Sequence, residues 1–228
     1  IDMSSIDRRN LNEHGIFIEF NENDITEAWA MIIAPEDSVY KNGILYFKIK
    51  FPTDYPFNPP KVSYISRGSI RIHPNLYTGY SKDNYLGKVC LSILGTWSGP
   101  QWTTIMDIGT VLLSIQSILD NNPLDNEPGF SGKVTINHKL YKDCITYERH
   151  RTLIIKNIFD IPEEFKCFKD VIEAHYKSKK EIIMSDLEEL DKGNKNFNKV
   201  NLSIYRINLV LDYTQLKVKL QDIDKSII

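Results

Sequence analysis

Leu45-Tyr46-Phe47-Lys48-Ile49-Lys50-Phe51-Pro52-Thr53-Asp54-Tyr55-Pro56-Phe57-Asn58-Pro59-Pro60-Lys61-Val62 is the stretch whose reading sets the fold class. Its first half alternates. Leu45, Phe47, Ile49 and Phe51 fall on one side and Tyr46, Lys48 and Lys50 on the other, the period of two of a half-buried strand. Its second half, residues 52 to 60, holds four prolines, which exclude both a helix and a central strand. Tyr55 and Phe57 give that loop apolar anchors, so a stiff, packed loop is expected there. Asn42-Gly43 places a turn before the strand, and Lys61 to Ile65 reads as a short strand after the loop.

Working outward, Ile16, Ile18 and Phe20 alternate with Phe17 and Glu19, and residues 27 to 34 are densely apolar up to Pro35. Short connections between successive strands favour an antiparallel meander. After residue 100 the period changes. Ile105, Ile108, Val111, Leu112, Ile115, Ile118 and Leu119 recur at helical spacing, with Thr104 and Asp107 as a capping box and Asn121-Asn122-Pro123 as the stop. A second helix fits Leu140, Cys144, Tyr147, Ile154, Ile155 and Ile158. Asp160 is the expected cap of a third, carrying Phe165, Phe168, Ile172, Tyr176, Ile183, Leu187 and Leu190. Residues 191 to 198 read as a polar loop, and Leu202, Tyr205, Leu209, Leu216, Leu220 and Ile223 as a last helix. Strands first and helices last predict an α+β fold: a four-stranded antiparallel meander with flanking helices, then a C-terminal helical extension.

The 228 residues are 42% hydrophobic and 25% charged, with a net charge of −2, so no basic footprint for nucleic acid is present. The apolar run from Val111 is interrupted by Ser114, Gln116 and Ser117 and falls far short of a membrane span. Cys90, Cys144 and Cys167 are odd in number and lack CxxC spacing, which argues against a disulfide framework and a zinc site. Free thiols of this kind fit a reducing compartment, cytosol or nucleus. Cys144 and Cys167 sit within helical patterns and read as buried apolar cysteines.

Cys90 stands in a different setting, Gly87-Lys88-Val89-Cys90-Leu91-Ser92-Ile93-Leu94-Gly95-Thr96-Trp97. His73-Pro74-Asn75 lies upstream, and Trp102 and Asn122-Pro123-Leu124-Asp125 lie downstream. A thiol accompanied by an amide and a carboxylate in turn-forming contexts suggests an enzyme that carries a thioester. The proline run, the triplet, the cysteine segment and Trp102 before its helix occur here in the order of the ubiquitin-conjugating enzymes, and the chain resembles that family over residues 15 to 160. The long loop from Gly95 to Trp102, Asn126-Glu127-Pro128-Gly129-Phe130 and Tyr141-Lys142-Asp143-Cys144-Ile145 are similar to those of its C-terminally extended, Z-type members.

The resemblance implies a catalytic core over residues 1–160, a helical extension over 161–228, and a thioester on Cys90. Thiolate suits that role as a nucleophile near neutral pH and a good leaving group. Asn75 matches the family's asparagine, either donating to the oxyanion or bracing its loop. Asp125 matches the acidic position that orients the attacking lysine and takes its proton, or is a turn residue after Asn-Pro. His73 is expected to be structural, and Trp97 and Trp102 to anchor the loop beside Cys90 by burying their rings. The proline-rich loop and the Trp97 to Pro100 segment match the family's ligase-binding surface. The implied partners are ubiquitin or a ubiquitin-like modifier, an activating enzyme, a ligase and a protein substrate, without nucleic acid or membrane. The protein needs no cofactor of its own, since ATP is used by the activating enzyme. Two departures stand out. Asn75 and Cys90 are fifteen positions apart, about twice the family's spacing, with a polar insertion from Thr78 to Asn84. Only Ser4 to Leu11 is available for the family's first helix, which binds the activating enzyme. The rival reading is a non-catalytic ubiquitin-binding variant or a scaffold.

Overall fold

Alternating residues become strands because one face of each is apolar. β1 (Ile16–Phe20), β2 (Glu27–Ile33), β3 (Ile44–Lys50) and β4 (Lys61–Ile65) form an antiparallel meander in chain order. The computed structural model describes residues 10–79, 86–193 and 198–227. In register, Ile18 faces Ala30, Ala30 faces Phe47 and Phe47 faces Tyr64, so one face carries a continuous apolar ladder. The sheet has one strand more than the sequence announces. β5 (Leu86–Lys88) pairs antiparallel with β4 at the far edge. Three residues are too few to show a period. Gly87 makes the strand possible: a Cβ there would lie 1.7 Å from the Tyr77 carbonyl oxygen, so only glycine lets the chain before Cys90 pass this close.

The proline-rich loop is packed through Tyr55. An aromatic series runs from Phe20 to Phe51 (5.9 Å), to Tyr55 (5.0 Å), to Trp102 (6.0 Å), and Trp102 Nε1 donates to the Pro56 carbonyl at 2.8 Å. Phe57 is not an anchor. It is 75% exposed, so Tyr55 alone supplies the aromatic attachment.

Helix α1 (Ile108–Ser117) starts later than its apolar spacing suggests. Asp107 is its cap, accepting from the Thr110 amide at 2.8 Å, which satisfies one of the helix's orphan donors. Ile105 lies before the cap and is 88% exposed. Ile108, Val111, Leu112 and Ile115 join the core shared with the sheet. Helix α2 (Ile136–Glu148) continues through a π-helical stretch, Arg149–Lys156, to Asn157–Phe159. The Glu148-Arg149-His150-Arg151 run breaks the apolar period, yet three of the four are buried, because the charges are paired. Glu148 accepts from Thr152 at 2.7 Å and pairs with Arg151, while Arg149 pairs with Asp186.

The C-terminal extension differs from an all-helical expectation. Asp160 does not cap the next helix but ends the preceding one and pairs with Arg67, and a 3-10 turn, Glu163–Phe168, begins after Pro162. Helix α3 (Lys169–Gly193) follows. Most of the predicted last helix is a hairpin, β6 (Asn198–Leu202) with β7 (Ile207–Leu211), and helix α4 covers only Tyr213–Ile227. Ile207, Leu209 and Leu211 are buried and alternate with exposed Asn208 and Val210, a strand's burial pattern. Cys144 is buried as expected, whereas Cys167 is exposed, on the solvent side of the 3-10 turn between buried Phe165 and Phe168. The Phe165 ring packs on Tyr46 at 4.5 Å, and Tyr46 Oη donates to the Asn157 carbonyl at 2.7 Å. Phe165→Ala is expected to destabilise the fold by about 3–5 kcal/mol, read as a lower urea midpoint. Among the described residues no helix is long and apolar enough to cross a membrane.

Candidate active site

The His73-Pro74-Asn75 turn is held from within. The Asn75 amide donates to His73 Nδ1 at 3.0 Å, and the Leu76 amide donates to the His73 carbonyl at 3.0 Å. His73 is buried against Tyr40, ring centroids 6.2 Å apart, and Tyr40 Oη donates to the Ile72 carbonyl at 2.6 Å. Accepting on Nδ1 assigns the proton to Nε2, which faces the Ile118 backbone without a well-aligned bond. Burial pushes its pKa down to about 3, so the ring is neutral in the folded protein. The histidine is a brace, as its sequence context suggests.

Asn75 and Cys90 meet directly despite their separation in sequence. The Cys90 amide donates to the Asn75 carbonyl at 2.8 Å, and Asn75 Nδ2 donates to the Cys90 carbonyl at 2.6 Å. A Leu76–Val89 bridge and a Tyr77 amide bond to the Lys88 carbonyl at 3.0 Å extend the pairing. The Asn75–Cys90 juxtaposition is therefore a backbone ladder reinforced by one side-chain amide. Among the described residues Asn75 Oδ1 is buried without a partner, and Nδ2 has a second N–H beyond the one given to Cys90. Cys90 is 2% exposed. Thr96, not singled out by the sequence, ties the two sides of the cysteine. Its Oγ1 accepts from the Leu91 amide at 2.9 Å and donates to the Val89 carbonyl at 2.8 Å.

Asp125 stands in a separate 3-10 turn, Pro123–Asn126, exposed, with its carboxylate 3.3 Å from His138 Nε2. Thr135 Oγ1 lies 2.9 Å from the other nitrogen of that ring. Among the described residues no hydrogen bond or ion pair joins Asp125 to Asn75 or Cys90. One side chain that sequence reasoning missed, Arg71, reaches the His73 turn and is itself held by two aromatic rings. The Arg71 guanidinium donates to the Pro74 carbonyl, and it lies 3.5 Å from the Tyr77 ring centroid and 4.6 Å from that of Tyr205. Trp102 is anchored as expected, but Trp97 is 37% exposed and buries no large ring beside Cys90. Of the insertion, Thr78 and Gly79 are described and residues 80–85 lie outside the described part, as do residues 4–9 of the expected first helix; Leu11 begins a 3-10 turn. Among the described residues no group of His, Cys, Asp and Glu side chains is arranged to hold a metal ion.

Burial lowers the pKa of His73, His150 and His175 alike. A lowered histidine lets the unfolded chain bind the proton first, so its stabilising share is complete above pH 6.5 and is lost as pH falls below that. For His73 the loss is expected at about 1.4 kcal/mol per pH unit down to about pH 3. Urea midpoints at pH 7.5, 6 and 5 are expected to fall in that order, and a flat profile would contradict the burial of these rings.

The family model described as "Ubiquitin-conjugating enzyme" matches residues 2–149. Ubiquitin-conjugating enzyme E2 Z of Danio rerio is 41% identical over 143 residues, 61% of this chain and 42% of that protein. The Homo sapiens E2 Z is 40% identical over 61% of this chain and 38% of its own length. A dual E2 ubiquitin-conjugating enzyme/E3 ubiquitin-protein ligase, BIRC6 of Homo sapiens, is 35% identical over 76% of this chain and 4% of its own. The E2 domain of a Toxoplasma gondii ubiquitin conjugating enzyme matches in structure with a TM-score of 0.47 and 25% identity, over 64% of this chain and 94% of that one. The chain spans less than half the length of the E2 Z relatives. With the family model covering well over half of it, the chain belongs to the ubiquitin-conjugating enzyme family.

Proposed function

We propose that this protein accepts ubiquitin or a ubiquitin-like modifier from an activating enzyme as a thioester on Cys90. It then transfers the modifier to a substrate lysine or to a ligase. The reciprocal pairing of Asn75 with Cys90, inside the family's ordered motifs, is the observation that carries this reading. In loading, Cys90 Sγ forms a bond to the modifier's terminal carbonyl carbon and the activating enzyme's thiolate leaves. In discharge, a lysine nitrogen forms the amide, the Cys90 thiolate leaves, and the amine's proton passes to a base or to water. The second N–H of Asn75 Nδ2 is the candidate donor to the oxyanion formed between these states. Asp125, exposed and turned toward His138, is the candidate group to orient the amine and accept its proton. With Cys90 so buried, the modifier's tail must enter as an extended strand or the neighbouring loops must part.

The reaction as written draws on no cofactor of the protein's own, ATP being consumed by the activating enzyme. Residues 1–160 act as the catalytic unit and 161–228 as an extension packed on it. Free thiols at Cys90, Cys144 and Cys167 fit the reducing cytosol or nucleus. Incubation with activating enzyme, ATP and ubiquitin, repeated with ubiquitin-like modifiers and their own activating enzymes, is expected to yield a thiol-sensitive adduct on a non-reducing gel. No adduct with any of them would favour the rival, a non-catalytic ubiquitin-binding variant.

A further inference from the structure

The hairpin between β6 and β7 ends in an unusual turn. Tyr205 and Arg206 have φ of 58° and 51°, left-handed values that non-glycine residues rarely adopt, and two in succession are rarer still. The turn contains no glycine, asparagine or proline to ease that conformation. Something outside the hairpin must therefore hold it, and Tyr205 shows what does.

Its phenol donates to the Glu127 carboxylate, immediately after the Pro123–Asn126 turn that carries Asp125. Its ring lies 4.6 Å from the Arg71 guanidinium, which also stacks on Tyr77 and donates to the Pro74 carbonyl of the His73-Pro74-Asn75 turn. Tyr141 completes the cluster, with its ring 5.6 Å from Tyr205 and its hydroxyl donating to the Arg71 carbonyl at 2.8 Å. One side chain of the C-terminal extension thus reaches both turns that hold the candidate helpers of Cys90, each through one intervening residue. Asn75 and Asp125 have no direct link, so their relative placement depends on a third element, and Tyr205 bridges them in one step on each side.

We propose that Tyr205 is a positioning residue for discharge of the thioester, fixing the Asn75 turn through Arg71 and the Asp125 turn through Glu127. The proposal rests on the reading of Cys90 as the thioester carrier. Its effect belongs to the step in which both turns must address one tetrahedral centre. Loading needs only the thiol and an incoming carbonyl.

Tyr205→Phe removes the bond to Glu127 and keeps the ring on Arg71; Tyr205→Ala removes both. In the full chain, preloaded with ubiquitin, single-turnover discharge to free lysine is expected to slow about tenfold in Tyr205→Ala and less in Tyr205→Phe, with loading rates kept. Hydrogen exchange is expected to quicken in Tyr205→Ala at residues 71–77 and 124–127 together. Unchanged discharge overturns the proposal. So does a parallel fall of loading, discharge and urea midpoint, which marks a plain scaffold contact. If the unsubstituted protein takes no modifier, the thioester reading falls by itself. The exchange measurement still decides whether the hairpin tip holds both turns, and unchanged exchange at either one overturns the proposal.

Discussion

Cys90→Ser is expected to yield a ubiquitin adduct that survives thiol treatment and does not discharge to lysine above the uncatalysed background. The hydroxyl is a far weaker nucleophile than a thiolate, so the adduct accumulates slowly. Once formed it is an oxyester, whose alkoxide leaving group is much poorer than a thiolate. The substitution changes one buried atom and leaves the Asn75 ladder intact, because that ladder uses the backbone of residue 90. Cys144, buried in α2 with its pKa pushed up to about 12 by desolvation, is unreactive. Cys167 is the exposed thiol and the one that alkylating reagents reach first, so Cys167→Ser is the necessary control. It is expected to load and discharge like the unsubstituted protein. Thiol-labile loading retained in Cys90→Ser would move the reaction to another cysteine.

Asn75→Ala is expected to slow lysine discharge about a hundredfold or more, in line with removal of an oxyanion donor. The same change leaves the Cys90 carbonyl without its 2.6 Å partner, at a folding cost of about 1–3 kcal/mol. The two roles separate in kinetics. A donor to the oxyanion acts in the transition state of discharge, so loading falls much less than discharge. A brace alone lowers loading, discharge and the urea midpoint together. Single-turnover loading and discharge measured on the same preparation decide between them.

The meander is legible because local rules agree with the global fold there, whereas Asn75 and Cys90 are legible only through the family resemblance. Alternation in residues 45–51 matches burial in β3 except at Tyr46, which the extension's Phe165 covers, and the proline run stays out of the sheet. β5 was hidden because it depends on Gly87 passing the Tyr77 carbonyl, a long-range closeness that three residues cannot announce. The terminal hairpin was misread because Leu202, Tyr205, Leu209 and Leu216 satisfy a helical spacing, while Ile207, Leu209 and Leu211 satisfy a strand's. Its turn also lacks the residues that signal positive φ. The roles of Arg71, Thr96, Glu127 and Tyr205 are not legible in the sequence for one reason. These residues act on backbone carbonyls, neighbouring amides and each other's rings, which no spacing rule encodes. Cys167 is exposed, against the helical pattern, because a 3-10 turn buries residues 165 and 168 and turns the two residues between them outward.

Intact-mass and peptide mapping of the adduct tests the central claim most directly. Loaded protein, quenched at low pH without reductant, is expected to gain the mass of one ubiquitin less one water, with the ubiquitin terminus on the peptide containing Cys90. Recovery of that terminus on Cys167, on a lysine, or on no peptide of this chain would contradict the account.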